Sequence, residues 1–171
     1  RPLKNGGFYH FRIRGFFDLY CTQGPNTTRE FKRLSKKLNF FEVIETGWSK
    51  VDTMFPLSEK ATDSKSITEE IPTIMIASTF TERLSLAYVD SVFNEIKRLS
   101  ETNAYKFIMV LHPKLPAEII KKWQSLTNKN FTFFDTTNLT PLFLEADILF
   151  ADTTSAIQEF VLQKKPVVTF K

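Results

Sequence analysis

The stretch A-D-I-L-F-A-D-T-T-S-A-I-Q-E-F-V-L-Q-K-K-P-V-V-T-F, running from Ala146 to Phe170, joins two buried-strand patterns through a polar turn and a helix. Ile148 to Ala151 is short, apolar and bounded by Asp147 and Asp152, while Val167 to Phe170 starts directly after Pro166, as a strand can. Between them, Asp152-Thr153-Thr154-Ser155 gathers an acid and three hydroxyls where a helix should begin. The stretch therefore reads as a β-α-β unit with a ligand loop. A loop of this kind after a parallel strand offers backbone N–H groups and a helix dipole to a phosphate.

Working back toward the start, the same alternation repeats. Thr73 to Ala77 reads as a strand, and Glu82 to Ser100 as a helix with Leu84, Tyr88, Val92, Ile96 and Leu99 on one face. Lys106 to Leu111 is the next strand, Ala117 to Leu126 a helix, Phe131 to Phe134 a strand and Leu139 to Ala146 a helix. Two helix starts are marked, by Thr79-x-x-Glu82 as a capping box and by Pro116 as a first-turn proline. Strands alternating with helices predict a parallel sheet covered by helices, a Rossmann-like α/β doubly wound fold. Right-handed crossovers suit the strand order 3-2-1-4-5, which would set Thr73–Ala77 beside Ile148–Ala151. The loops Ser78-Thr79-Phe80-Thr81 and Asp152-Thr153-Thr154-Ser155 would then face each other at the topological switch point, where ligands bind in such folds.

The polar run from Pro56 to Glu70 carries no period and reads as an interdomain linker. Ahead of it, residues 1 to 15 read as a loop and Phe16 to Cys21 as a short strand. Asn26 to Leu38 reads as an amphipathic helix with a narrow stripe at Phe31, Leu34 and Leu38, and Phe41 to Glu45 as a second strand. The expected organisation is thus residues 1–55 as the end of one Rossmann-like domain, 56–70 as linker and 71–171 as a second such domain.

At 171 residues and 42% hydrophobic content the chain can bury a sizeable core, and 18 Phe against 5 Gly fit densely packed layers. The lone Cys21 forms no internal disulfide, and no Cys or His cluster has metal-ligand spacing, so a reducing compartment and no metal or cofactor are expected. No apolar run approaches the roughly 20 residues needed to cross a bilayer. The start Arg1-Pro2-Leu3-Lys4 lacks Met and a signal-peptide core, from which a piece of a longer protein is expected. Net charge is +4, yet residues 1–37 hold nine Lys/Arg against Asp18 and Glu30, which leaves that segment at +7 and the rest at −3. Such a basic end suits phosphates or an anionic surface, or is a solvated face.

Each candidate residue has a plain structural reading beside the functional one. Thr154 and Ser155 can hydrogen-bond a phosphate, or Ser155 can simply cap its helix with Gln158 closing a capping box. Glu159 can accept from ribose hydroxyls or stand solvated. His112, ending the strand Lys106–Leu111, can bind a phosphate or only terminate the strand. His10, between Arg12 and Arg14 in a basic loop, is given no catalytic role. The turns Thr22-Gln23-Gly24-Pro25 and Thr46-Gly47-Trp48 read as ordinary turns, or as places where glycine lets a ligand approach. There is no GxGxxG, Walker loop, H-E-x-x-H or G-x-S-x-G, and no nucleic-acid-binding signature beyond the basic end.

Taken together, T-Q-G-P (22–25), E-T-G-W-S-K-V-D (45–52), L-H-P (111–113) and A-D-I-L-F-A-D-T-T-S-A-I-Q-E-F (146–160) resemble the bacterial CDP-glycerol glycerophosphotransferases, teichoic-acid-polymerase-like enzymes of GT-B architecture. That family has a D-x-S-S-like loop followed by a helix carrying Glu, which here is Asp152-Thr153-Thr154-Ser155 and Glu159. The S-x-x-I-Q-E run of UDP-N-acetylglucosamine 2-epimerases is similar to the same helix start. The resemblance implies a paired Rossmann-like fold with the nucleotide donor held mainly by the second domain. It implies that Thr154 and Ser155 hold the donor pyrophosphate, that His112 lies near it and that Glu159 reaches the ribose; Ser78 and Thr79, on the loop across the switch point, are expected at the same phosphates.

By the same resemblance, the partners expected are a CDP-activated polyol donor and a polymer or lipid-linked acceptor. The place implied is the cytoplasmic side of the cell membrane, with peripheral contact to its anionic face. The family's H-P-x-H appears here as His112-Pro113-Lys114-Leu115, without the second His. The family's base, in an H-G motif, would lie upstream of Arg1, and the helices that follow the last strand are expected beyond Lys171. The 171 residues alone are therefore expected to be catalytically incompetent. A UDP-sugar 2-epimerase and a non-catalytic nucleotide-sugar-binding domain are the alternatives.

Overall fold

The computed structural model describes residues 17–55 and 71–170, so the expected loop at 1–15 and linker at 56–70 lie outside the described residues, as does Lys171. The chain divides into two compact units, Arg1–Leu57 and Ser58–Lys171.

In the first unit, β1 (Leu19–Thr22), α1 (Pro25–Leu38) and β2 (Glu42–Glu45) form a β-α-β crossover with the strands parallel and Leu19 opposite Glu42. Pro25 starts α1 because its missing N–H would be unpaired there anyway. Asn39 ends the helix in the left-handed region (φ 61°), its N–H bonded to the Ser35 carbonyl at 2.8 Å. Phe31 turns inward against Tyr20, which also meets Phe41, with ring centroids 5.2 and 4.8 Å apart. The helix is seated a second time by Thr28, whose hydroxyl donates to Glu45 at 2.6 Å and lies 2.7 Å from the Thr22 hydroxyl. A 3-10 turn, Ser49–Met54, buries Val51 and Met54.

The second unit is a five-stranded parallel sheet. Its strands are β3 (Thr73–Ser78), β4 (Lys106–Leu111), β5 (Phe131–Phe134), β6 (Ile148–Ala151) and β7 (Val167–Thr169), in the order β5-β4-β3-β6-β7. Counted within the unit this is the expected 3-2-1-4-5, and Ile74–Ala77 pair with Ile148–Ala151 as the switch point requires. The crossovers carry α2 (Asp90–Ser100), α3 (Ala117–Gln124), α4 (Thr140–Glu145) and α5 (Ala156–Phe160). β3 and β4 are near-continuous apolar runs because both faces of a parallel sheet are covered. On one face Ile76, Phe107, Met109 and Phe131 pack with Leu86, Val92, Ile96 and Trp123. The buried Trp123 indole N–H is satisfied by the Ala87 carbonyl at 2.9 Å.

One expected element is corrected. Glu82 to Ser100 is not a single helix: two 3-10 turns, Glu82–Leu84 and Leu86–Tyr88, precede α2, and no capping box joins Thr79 to Glu82. Backbone donors of this segment are drawn away from helical pairing. The N–H groups of Thr79 and Leu86 go to Asp152, and that of Ala87 goes to the Ser85 hydroxyl. Leu84, expected on the apolar face, is consequently exposed.

Candidate functional site

Strands β3, β4 and β6 are parallel neighbours, so the loops that leave them emerge at one edge of the sheet. These are the loops after Ser78, Leu111 and Ala151. At the centre lies Asp152, only 2% exposed. One carboxylate oxygen accepts from the Ser78 hydroxyl at 2.6 Å and the Leu86 N–H at 2.9 Å, and the other from the Thr79 N–H at 2.9 Å. With its proton given to Asp152, the Ser78 hydroxyl is free to accept from Ser85, 2.7 Å away. A buried carboxylate needs such donors to offset lost hydration. The result is a clamp across the switch point that fixes the loop after β3 to the loop after β6.

The clamp uses two of the polar residues read from the sequence, Asp152 of the ligand loop and Ser78, expected at the donor phosphates. Both are buried and directed at each other, so their observed chemistry is to hold the loops.

Beyond the clamp, Thr154 turns its N–H to the Asp152 carbonyl at 2.8 Å, and its hydroxyl accepts from the Ala156 N–H at 3.3 Å. Thr154 thus takes the capping role expected of Ser155. The Ser155 hydroxyl makes no capping bond and is exposed, and the Gln158 N–H reaches only the Ser155 carbonyl, at 3.1 Å. Helix α5 has five residues followed by a single 3-10 turn, so its dipole is small and the polar groups of the loop matter more than the helix. Glu159 is buried in the first turn of α5, at 7% exposure, and the solvated alternative for it does not hold.

The third loop brings His112 onto the exposed ring of Phe80, with centroids 4.5 Å apart, and sets the Lys114 ammonium 5.2 Å from the same ring. Nδ1 of His112 accepts the Lys114 N–H at 3.1 Å, which leaves Nε2 to carry the proton of the neutral ring. His112 therefore presents an N–H donor. Phe80 was not singled out in the sequence, yet it is the platform that links the β4 loop to Thr79 and so to the clamp.

In the first unit the two glycine turns come together. Thr22-Gln23 and Thr46-Gly47-Trp48-Ser49, both at carboxyl ends of the parallel pair, line a cleft of about 450 Å³ with Cys21, Thr27 and Phe31. Gly47 sits at φ +80°, a conformation that needs glycine, and Gly24 has open space where a side chain would start. Among the described residues no group of three or more His, Cys, Asp or Glu side chains is gathered for a metal ion, and no helix is long and apolar enough to cross a membrane.

The family model of CDP-glycerol:poly(glycerophosphate) glycerophosphotransferases matches residues 16–171. The chain belongs to this glycerophosphotransferase family. Among solved structures, the Staphylococcus aureus MnaA–UDP complex is 14% identical with a TM-score of 0.56, the match covering 90% of this chain and 42% of that one. That likeness supports the α/β fold described above. The wall teichoic acid polymerase TagF soaked with CDPG is 18% identical, with 90% of this chain and 37% of that chain covered and a TM-score of 0.49. The Escherichia coli heptosyltransferase WaaC with an ADP-heptose analogue is 11% identical, covering 86% and 45%, also at 0.49. This member of the family thus spans about two fifths of the length of the solved structures it matches. No curated protein matches it.

Proposed function

We propose that the protein transfers a glycerophosphate-type group from a CDP-activated polyol to a hydroxyl of a cell-surface polymer, or of its lipid-linked primer, at the inner face of the cell membrane. The observation that carries this reading is the clamped switch-point edge in a chain of the glycerophosphotransferase family, where loops bearing hydroxyls, an imidazole N–H and a lysine leave neighbouring strands at the same end of the sheet. Residues 1–55 would close the first Rossmann-like domain, 56–70 would link, and 71–171 would bind the donor.

In this reading the exposed Ser155 hydroxyl, with Thr154 and Thr79 beside it on the clamped loops, faces the donor pyrophosphate. The Nε2–H of His112 donates to a phosphate oxygen, and Lys114 adds charge neutralisation next to it. Glu159 accepts from ribose hydroxyls. The acceptor oxygen attacks the phosphorus that bears the polyol, its proton leaves to a base, and the bridging P–O bond breaks to release CMP. None of the residues named here is that base. What they supply is positioning and preorganised positive potential at phosphorus, which in phosphoryl transfer carries most of the rate.

The test is a calorimetric titration of the protein with CDP-glycerol, UDP-N-acetylglucosamine and CMP. CDP-glycerol is expected to bind more tightly than the UDP-sugar. His112→Ala should weaken CDP-glycerol by about 1.5–3 kcal/mol, the worth of a hydrogen bond to a charged group. Tighter binding of the UDP-sugar, or affinity untouched by His112→Ala, would overturn the assignment.

A further inference from the structure

Helix α1 carries a cationic surface remote in sequence from the loops at the switch point. Arg29, Lys32, Arg33 and Lys36 follow the i, i+3, i+4, i+7 rule, so at about 100° per residue they occupy one narrow arc opposite Phe31. All four are exposed, and all four line one groove of about 490 Å³ together with Glu45. Arg33 is held in a solvent-exposed pair with Glu30 at 3.1 Å, which costs little to exchange.

We propose that this groove binds the growing polyol-phosphate polymer, taking two or three successive phosphodiesters of the acceptor chain. The inference rests on the transferase reading and adds the surface that holds its acceptor. Three observations select this occupant. The cations form a line rather than a cluster: Arg29 to Lys36 rises about 10 Å, with 3–4-residue steps of about 4.5–6 Å. A polyol-phosphate repeat of six backbone bonds spans about 7 Å when extended, counting about 3.5 Å per three bonds as in a polypeptide, which flexible Arg and Lys side chains match. Glu45, held by the Thr28 hydroxyl, is an acceptor for the free hydroxyl of a polyol unit and would repel a surface made of phosphate alone. Finally, Phe31 on the opposite face is buried in its own unit. With Leu34 half-buried beside it and only Leu38 exposed at the last turn, the helix keeps little of the apolar face that an interfacial helix lays into a bilayer.

The test uses the full protein and the Arg29→Gln, Lys32→Gln, Arg33→Gln, Lys36→Gln quadruple variant; glutamine keeps helix propensity, and circular dichroism checks the fold. Binding of long poly(glycerol phosphate) is read by fluorescence anisotropy without donor, and binding to phosphatidylglycerol vesicles by co-sedimentation. The variant should lose at least tenfold in polymer affinity and flatten the salt slope, at roughly 0.7 per phosphate released. In turnover its KM for a long acceptor should rise at least tenfold while kcat with a two-repeat acceptor is kept. Unchanged polymer affinity would overturn the proposal, and so would loss of vesicle binding alone, which would give the face to lipid. Failure of the wild type to transfer from CDP-glycerol to any acceptor would instead count against the donor reading, since the anisotropy measurement involves no donor.

Discussion

Asp152 is the residue on which the candidate site depends most. Replacing it by Ala would leave the Ser78 hydroxyl and the Thr79 and Leu86 N–H groups buried without their acceptor. Asp152→Ala should therefore cost about 3–5 kcal/mol of unfolding free energy, and Asp152→Asn, which keeps one acceptor oxygen, about 1–3 kcal/mol, both read by urea denaturation. Equal stability of the three proteins would refute the clamp. At Gly47 the left-handed backbone is strained for any side chain though space is open, so Gly47→Ala should cost about 1 kcal/mol. At this scale the sequence was partly legible. His112, Thr154 and Ser155 stand at the edge to which their strand ends assigned them. The division of labour between Asp152 and the hydroxyls was not legible, because a loop acid that holds a neighbouring loop and one that holds a ligand look alike until the partner strand is known.

Among the elements, strands that end a buried run read best: Lys106–Leu111, Phe131–Phe134 and Ile148–Ala151 stand where their apolar runs predict them. The segment after β3 reads worst, since its helical periodicity was overridden by tertiary hydrogen bonds to a residue 66 positions away, Asp152. Helix ends are held by features spacing alone does not reveal. The Lys165 ammonium donates to the carbonyls of Phe143, Leu144 and Ala146 at 3.0, 2.9 and 2.7 Å, capping α4. Lys165→Met should destabilise the protein by about 1–2 kcal/mol, shown by a lowered thermal midpoint. On α2 the hydrogen bond from Arg98 lowers the Glu95 carboxyl from its usual value. A depressed acid contributes stability above its unfolded value and loses it as pH falls through the folded one. Here the pair is fully exposed, so the contribution is small. An NMR titration of Arg98→Gln should return Glu95 to the ordinary carboxylate range.

At the level of the molecule, alternating strand and helix patterns with right-handed crossovers were enough to predict the order of the five-stranded sheet, and hence which loops share an edge. Helix length was not legible. The five-residue α5 supplies less dipole than its sequence pattern promised, which moves the expected work of binding a diphosphate from the helix to the loop, its hydroxyls and His112. The basic excess of residues 1–37 was visible as composition, but only the folded helix shows four of those charges in one groove. The central claim is that the loop after β6 cradles the phosphates of a CDP-activated donor, and calorimetric titration of CDP-glycerol into the wild-type protein and the Thr154→Ala, Ser155→Ala double variant tests it most directly. Saturable binding to the wild type and a loss of about 1.5–3 kcal/mol of binding free energy in the variant are expected, with folding stability lowered by no more than the lost Thr154 cap, about 1 kcal/mol, whereas equal affinity for the two proteins would rule the cradle out.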